Sequence, residues 1–195
     1  MPKLLIVRHG QSEWNALGRW QGQADPPLTN LGESQARKAS QKLGLFDLIV
    51  SSPLQRAKNT ASIISELMGV GPVATEVGLM ERDAGPWQGL TRIEIENGWP
   101  GFLDSGNRPD GYESNPDLLL RVFKVLKKLS ESSKPSDSIL VISHAGIVHA
   151  LENLHDQPSI KVPNLGGRWV EFVDGELVMG KRISLVTEES MPDLL

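Results

Sequence analysis

Three short apolar runs constrain this 195-residue chain more than any other feature: Leu4-Leu5-Ile6-Val7, Leu48-Ile49-Val50 and Ile139-Leu140-Val141-Ile142. None alternates with polar residues, which predicts strands buried on both faces, the habit of parallel sheets covered by helices. Each run stops at a polar cluster: Arg8-His9-Gly10, then Ser51-Ser52-Pro53 leading to Arg56, then Ser143-His144-Ala145-Gly146. Open α/β sheets bind ligands outside the carboxyl ends of their strands. Two arginines and two histidines, far apart in sequence, are therefore expected to meet at one rim. Such a rim is an anion site, and imidazoles within it add a capacity for chemistry.

Helical and strand patterns alternate between these runs, which predicts an α/β fold. A mostly parallel central sheet sandwiched by helices is expected, in a single domain spanning 1–195. A polar loop from Gly10 to Pro27 is long enough to suggest a functional role. One helix is expected after Thr29 or Asn30, carrying a Glu33–Arg37 pair and stopping at Gly44. A second should be capped by Ser52 with Pro53 in its first position and end at Gly69, and a third capped by Asn115 with Pro116 first. A fourth should run from about Gly146 to His155. A short strand at Val73–Val77 and a hairpin over Arg168–Val173 and Glu176–Leu185, turning at Asp174-Gly175, complete the pattern. The acidic tail from Glu188 is expected to fray. From Gly78 to Tyr112 glycine, proline and tryptophan break the periodicity, apart from a short helix near Thr91–Asn97. This stretch, 78–112, is expected to form a small cap over the rim, shaped by Trp87, Trp99 and Phe102.

A net charge of −4 and a pI near 5.6 remove the basic footprint that nucleic acid or an anionic membrane requires, so anion binding must be local. The chain has no cysteine, which excludes disulfides, thiolate zinc sites and cysteine nucleophiles and fits a reducing, cytoplasmic setting. No apolar run approaches the roughly 20 residues of a membrane helix, and no signal peptide is expected. Gly69-Val70-Gly71-Pro72-Val73-Ala74 formally matches a dinucleotide-binding pattern. It follows a helix and precedes a strand, the reverse of the required order. His144 and His149 are spaced by five, and with His155 they lack the carboxylate spacing of a zinc site, so neither metal nor cofactor is expected.

Five segments, LIVRHGQSEWN, LTNLGESQARKAS, SSPLQRAKNTA, LMERDAGPWQGL and VISHAGIVHAL, follow one another from residue 4 to about residue 154. In that order they resemble the signatures of the histidine phosphatase superfamily, also called the phosphoglycerate mutase-like family. The resemblance implies that His9 is a nucleophile that becomes phosphohistidine, that Arg8 and Arg56 grip the phosphoryl oxygens, and that His144 is a further donor. It implies that Glu81 protonates the leaving oxygen and then activates water, while Asn15 and backbone groups near Gln21-Gly22 line the entrance. One departure is visible: two glycines usually follow the second histidine, and Ala145 stands in the first place. Phosphoryl transfer depends on positioning and positive charge. Two guanidiniums, an imidazolium and a helix N-terminus could supply that charge without a metal. Glu81 must begin protonated, which a dianionic substrate beside it favours.

The implied activity is metal-independent hydrolysis of a small phosphorylated metabolite. Phosphoglycerate mutases resemble the chain in every one of these motifs, but they carry a longer insertion between acid and second histidine and a mobile tail over the site. Here Glu81 and His144 are 63 residues apart (144 − 81) and the tail is short, which favours a phosphatase, because a mutase must keep water from its phosphoenzyme. A non-catalytic phosphate- or phosphoprotein-binding module is disfavoured by the presence of Arg8, His9, Arg56, Glu81 and His144 together. A monomer or homodimer is expected, with no nucleic acid or membrane partner.

Overall fold

The computed structural model describes residues 1–158 and 160–186. Six strands form one sheet: β1 Lys3–Arg8, β2 Leu48–Ser51, β3 Ala74–Thr75, β4 Ser138–Ser143, β5 Gly166–Val173 and β6 Glu176–Ser184, in the order β3-β2-β4-β1-β5-β6. β1 to β4 run parallel, and the β5–β6 hairpin adds an antiparallel edge to β1. The helices are α1 Glu13–Ala16, α2 Asn30–Ser40, α3 Gln55–Met68, α4 Arg92–Gly98, α5 Phe102–Ser105, α6 Asn115–Ser132 and α7 Ala145–Leu154. Among the described residues no helix is long and apolar enough to cross a membrane.

The unbroken apolar runs follow from a core on each side of the sheet. Leu4, Ile6, Ile139 and Val141 pack with Leu118, Val122 and Leu126 of α6 and Ile147 and Leu151 of α7. Leu5, Val7, Leu140 and Ile142 point the other way, against Ala36 and Ala39 of α2 and Ala57, Ala61 and Ile64 of α3. Every one of these strand residues is at most 1% exposed, and each such burial contributes about 1.5–3 kcal/mol.

Several boundaries differ from the expected ones. The Gly10–Pro27 loop contains α1, closed by a capping box in which the Ser12 Oγ accepts from the Asn15 N–H and the Asn15 Oδ1 accepts from the Ser12 N–H. α2 is capped by Thr29 but stops short of Gly44, and Glu33 and Arg37 form no ion pair among the described residues. α3 begins after Leu54 instead of Ser52; the Ser52 hydroxyl accepts from the Leu54 N–H, and Arg56 still falls in the first turn. Ser114, one residue before Asn115, caps α6 through its side chain. The hairpin turns where expected, with φ of 52° at Asp174 and 86° at Gly175, the positive values a two-residue turn of this kind demands. The tail from Glu188 lies outside the described residues. Within 78–112, α4 and α5 and the turn at Gly85–Trp87 gather around a third cluster of Ala84, Trp87 and Ile95, with Trp20, Trp99 and Tyr112 against it.

Candidate active site

The parallel pairing of β1 with β4 sets Arg8 opposite Ser143, so the next residue of each strand, His9 and His144, emerges at the same edge. The His9 N–H donates to the Ser143 carbonyl at 3.0 Å, and the two imidazoles meet edge to face with centroids 5.2 Å apart. Arg56, in the first turn of α3 and fully buried, directs Nε at Nε2 of His9, 3.2 Å away. Its two terminal nitrogens donate to the carbonyls of Ala24 (2.6 Å) and Gly22 (2.8 Å), tying down the loop after α1. Arg8, 5% exposed, donates to the Val162 carbonyl at 2.8 Å. Glu81 lies at the N-terminus of α7: one carboxylate oxygen accepts from the Gly146 N–H at 3.1 Å, the other from the Arg82 N–H at 2.7 Å. Arg121 of α6 holds this segment through the carbonyls of Gly78, Met80 and Glu81, and is itself anchored on Glu113 at 2.7 Å.

These contacts decide protonation states. Nδ1 of His9 is 2.6 Å from the Gly10 carbonyl, an acceptor only, so the ring proton belongs on Nδ1 and Nε2 keeps its lone pair. Burial first, then the Arg56 and Arg8 charges, hold His9 well below the ordinary imidazole value, against the Gly10 hydrogen bond. His144 is pushed down the same way, by burial, Arg56 and His9. The ring is therefore held toward its neutral form near pH 7 in the ligand-free protein, whereas the expected imidazolium belongs to a site that holds a phosphoryl group. Both of its nitrogens are buried without a hydrogen-bond partner among the described residues. A buried polar group left in that state costs about 1–3 kcal/mol, and an oxyanion beside it would satisfy it. Burial also lowers Arg56 to about 10, partly offset by Glu81 and Asp25, which leaves it a cation at neutral pH.

A cavity of about 1030 Å³ opens over these groups, and Arg8, His9, Asn15, Gln21, Gly22, Arg56, Glu81 and Ala145 all line it. His144 sits fully buried beside His9. Asn15 and Gln21 are engaged within the protein: Asn15 Oδ1 accepts from Asn164 at 3.3 Å and Gln21 Oε1 from the Ser12 hydroxyl at 2.6 Å. Ala145, the departure from the two-glycine pattern, is the first residue of α7. At the next position a Cβ on Gly146 would run into the end of the Glu81 side chain, so a larger residue there requires that carboxylate to shift. Sequence reasoning missed Arg82, Arg108, Tyr112 and Asn153 on the cavity wall, and weighed His149 there only as a metal ligand. Arg82 could have been found, since it follows Glu81 directly. Arg108 lies over the rings of Trp87 and Tyr112, at 5.2 and 5.4 Å, in a segment with no periodic signal. Among the described residues no group of three His, Asp or Glu side chains could hold a metal ion.

Residues 4–175 match the family model described as histidine phosphatase superfamily (branch 1). The chain is similar to glucosyl-3-phosphoglycerate phosphatase of Mycobacterium tuberculosis (strain CDC 1551 / Oshkosh), with 35% identity over 180 residues covering 85% of this chain and 80% of that one. It is similar also to 2,3-bisphosphoglycerate-dependent phosphoglycerate mutase of Methylorubrum extorquens (strain PA1), with 33% identity over 171 residues covering 81% of each. Among solved structures, a mycobacterial glucosyl-3-phosphoglycerate phosphatase in complex with VO3 matches with a TM-score of 0.83 and 30% identity, over 92% of this chain and 97% of that one.

Proposed function

The chain belongs to the histidine phosphatase superfamily, branch 1, and from that membership we propose that it hydrolyses phosphomonoesters of small metabolites, without a metal, through a phosphohistidine at His9. The observation that carries this reading is the unprotonated Nε2 of His9, which is oriented by the Gly10 carbonyl at Nδ1, accepts from Nε of Arg56 at 3.2 Å and belongs to the lining of the cavity.

Arg8, Arg56 and His144 bind the phosphoryl oxygens, where fixed positive charge and donors act on the charge that spreads over them in the transition state. Nε2 of His9 attacks phosphorus and the ester P–O bond breaks. Its electron pair goes to the leaving oxygen, which takes a proton from Glu81. The Glu81 carboxylate then accepts a proton from water as that water attacks phosphorus, the P–N bond breaks, and His9 returns neutral with inorganic phosphate released. The dianionic phosphoryl group beside Glu81 favours its protonated form at the start. Residues 78–112 serve as a cap within a single domain, with the Trp87 cluster stiffening it. The lack of cysteine supports a cytoplasmic setting, and the acidic balance supports a small-molecule substrate over nucleic acid.

Likeness to the mutase favours a second reading, isomerisation of phosphoglycerate. Turnover separates the two. Hydrolysis of p-nitrophenyl phosphate is expected to persist in excess EDTA and to be inhibited by vanadate. With 3-phosphoglycerate and catalytic 2,3-bisphosphoglycerate, little 2-phosphoglycerate is expected. Loss on chelation with recovery on zinc or magnesium contradicts the metal-free site, and isomerisation outpacing phosphate release by orders of magnitude contradicts the phosphatase reading.

A further inference from the structure

α7 turns one face to the cavity, with Ala145, His149 and Asn153 spaced four apart along it. His149 is the third imidazole of the site and has no part in the chemistry above. Its Nδ1 is buried, makes no hydrogen bond among the described residues and lies 3.9 Å from Oε2 of Glu152, which leaves Nε2 as the ring nitrogen toward the cavity. Glu152 is fully buried and cannot swing away, because Arg168 (3.0 Å) and Arg182 (3.1 Å) from the hairpin clamp its Oε1. A fixed carboxylate accepts only. It therefore favours the tautomer protonated at Nδ1 and leaves Nε2 with a lone pair. Burial lowers His149, with Arg182 of β6 and Arg8 of β1 acting in the same direction against Glu152 on its own helix and Glu81 at the helix start. The ring is neutral near pH 7. An acceptor nitrogen with a neutral amide one turn on, in a space far larger than a phosphoryl group, is suited to hydroxyl groups.

We propose that His149 and Asn153 form a specificity wall in which Nε2 of His149 accepts a hydrogen bond from a hydroxyl on the alcohol portion of the ester, so that phosphomonoesters of polyhydroxylated, sugar- or polyol-type alcohols are preferred. This rests on the phosphatase reading and names its substrate class. The test compares glycerol 3-phosphate with propyl phosphate, which differ in the two hydroxyls. The native protein should favour glycerol 3-phosphate in kcat/KM by about tenfold or more, since a site built to hydrogen-bond a hydroxyl rejects the analogue lacking it. His149→Ala should bring that ratio to about one, chiefly through KM. His149→Gln keeps an acceptor that does not titrate. It should retain the preference. A native ratio near one, or an equal loss on both esters in His149→Ala, overturns the proposal. If neither ester turns over, the phosphatase reading fails, and calorimetric binding of the two esters to the native protein and to His149→Ala still decides the wall.

Discussion

Nε of Arg56 stands 3.2 Å from Nε2 of His9, while the same guanidinium holds the carbonyls of Gly22 and Ala24. One planar fork thus positions the proposed nucleophile and the loop that borders it, a role a lysine cannot fill with a single ammonium. Arg56→Lys should keep the charge and still lose about 10²-fold in kcat/KM, with weaker inorganic phosphate binding by calorimetry. A lysine variant indistinguishable from the native protein contradicts this assignment.

Gly146 leaves room for Glu81, and a methyl group there would meet the carboxylate at the end of that side chain. Gly146→Ala should displace the proton donor and mimic Glu81→Gln. Both should lose about 10²-fold on alkyl phosphates, whose leaving oxygen needs a proton, and much less on p-nitrophenyl phosphate. Equal losses on the two classes of ester, measured as kcat/KM, show that Glu81 does not carry the proton.

Glu152 is a buried carboxylate shared by Arg168 and Arg182, which also hold the chain beyond α7 through the Gln157 side chain and the Ile160 carbonyl. Removing one partner from such a cluster leaves the others charged and desolvated. Glu152→Gln should cost about 3 kcal/mol and lower Tm by roughly 6–12 °C. A Tm within about 2 °C of the native value would show that the cluster contributes little.

The imidazoles set the pH dependence of stability. His9 and His144 sit well below the ordinary value in the folded protein. The unfolded chain takes up protons near pH 6.5 where these rings do not, so the unfolded state binds more protons and stability falls as pH drops below about 6.5. The loss is up to about 1.4 kcal/mol per pH unit for each ring, and it ends where the folded ring titrates. Thermal melts from about pH 7.5 to 5.5 should show this fall, reduced by saturating phosphate, which favours the charged rings. A flat profile without ligand contradicts the neutral assignment.

The sheet was legible because both faces of β1 and β4 are covered, which is what an unbroken run such as Leu4-Leu5-Ile6-Val7 demands. The meeting of His9, Arg56, Glu81 and His144 followed from strand ends and motif order. Their charge states did not, because only the fold shows that His144 is fully buried. The Ser52-Pro53 pair mimicked a helix start, yet Leu54 stays extended with ψ of 132° and the helix begins after it. The Glu152 cluster was invisible for another reason. Arg168 and Arg182 become neighbours only through the β5–β6 register, which no local pattern encodes.

The central claim is covalent phosphoryl transfer to His9, and trapping the phosphoenzyme tests it most directly. With p-nitrophenyl phosphate the leaving group needs little help, so breakdown of the phosphoenzyme should limit turnover and the intermediate should accumulate. Rapid quench into alkali, which preserves phosphohistidine, followed by peptide mass analysis should find the phosphoryl group on His9, with an initial burst of nitrophenolate. Steady turnover with His9 unmodified and no burst, or the phosphoryl group on another residue such as His144, contradicts the claim.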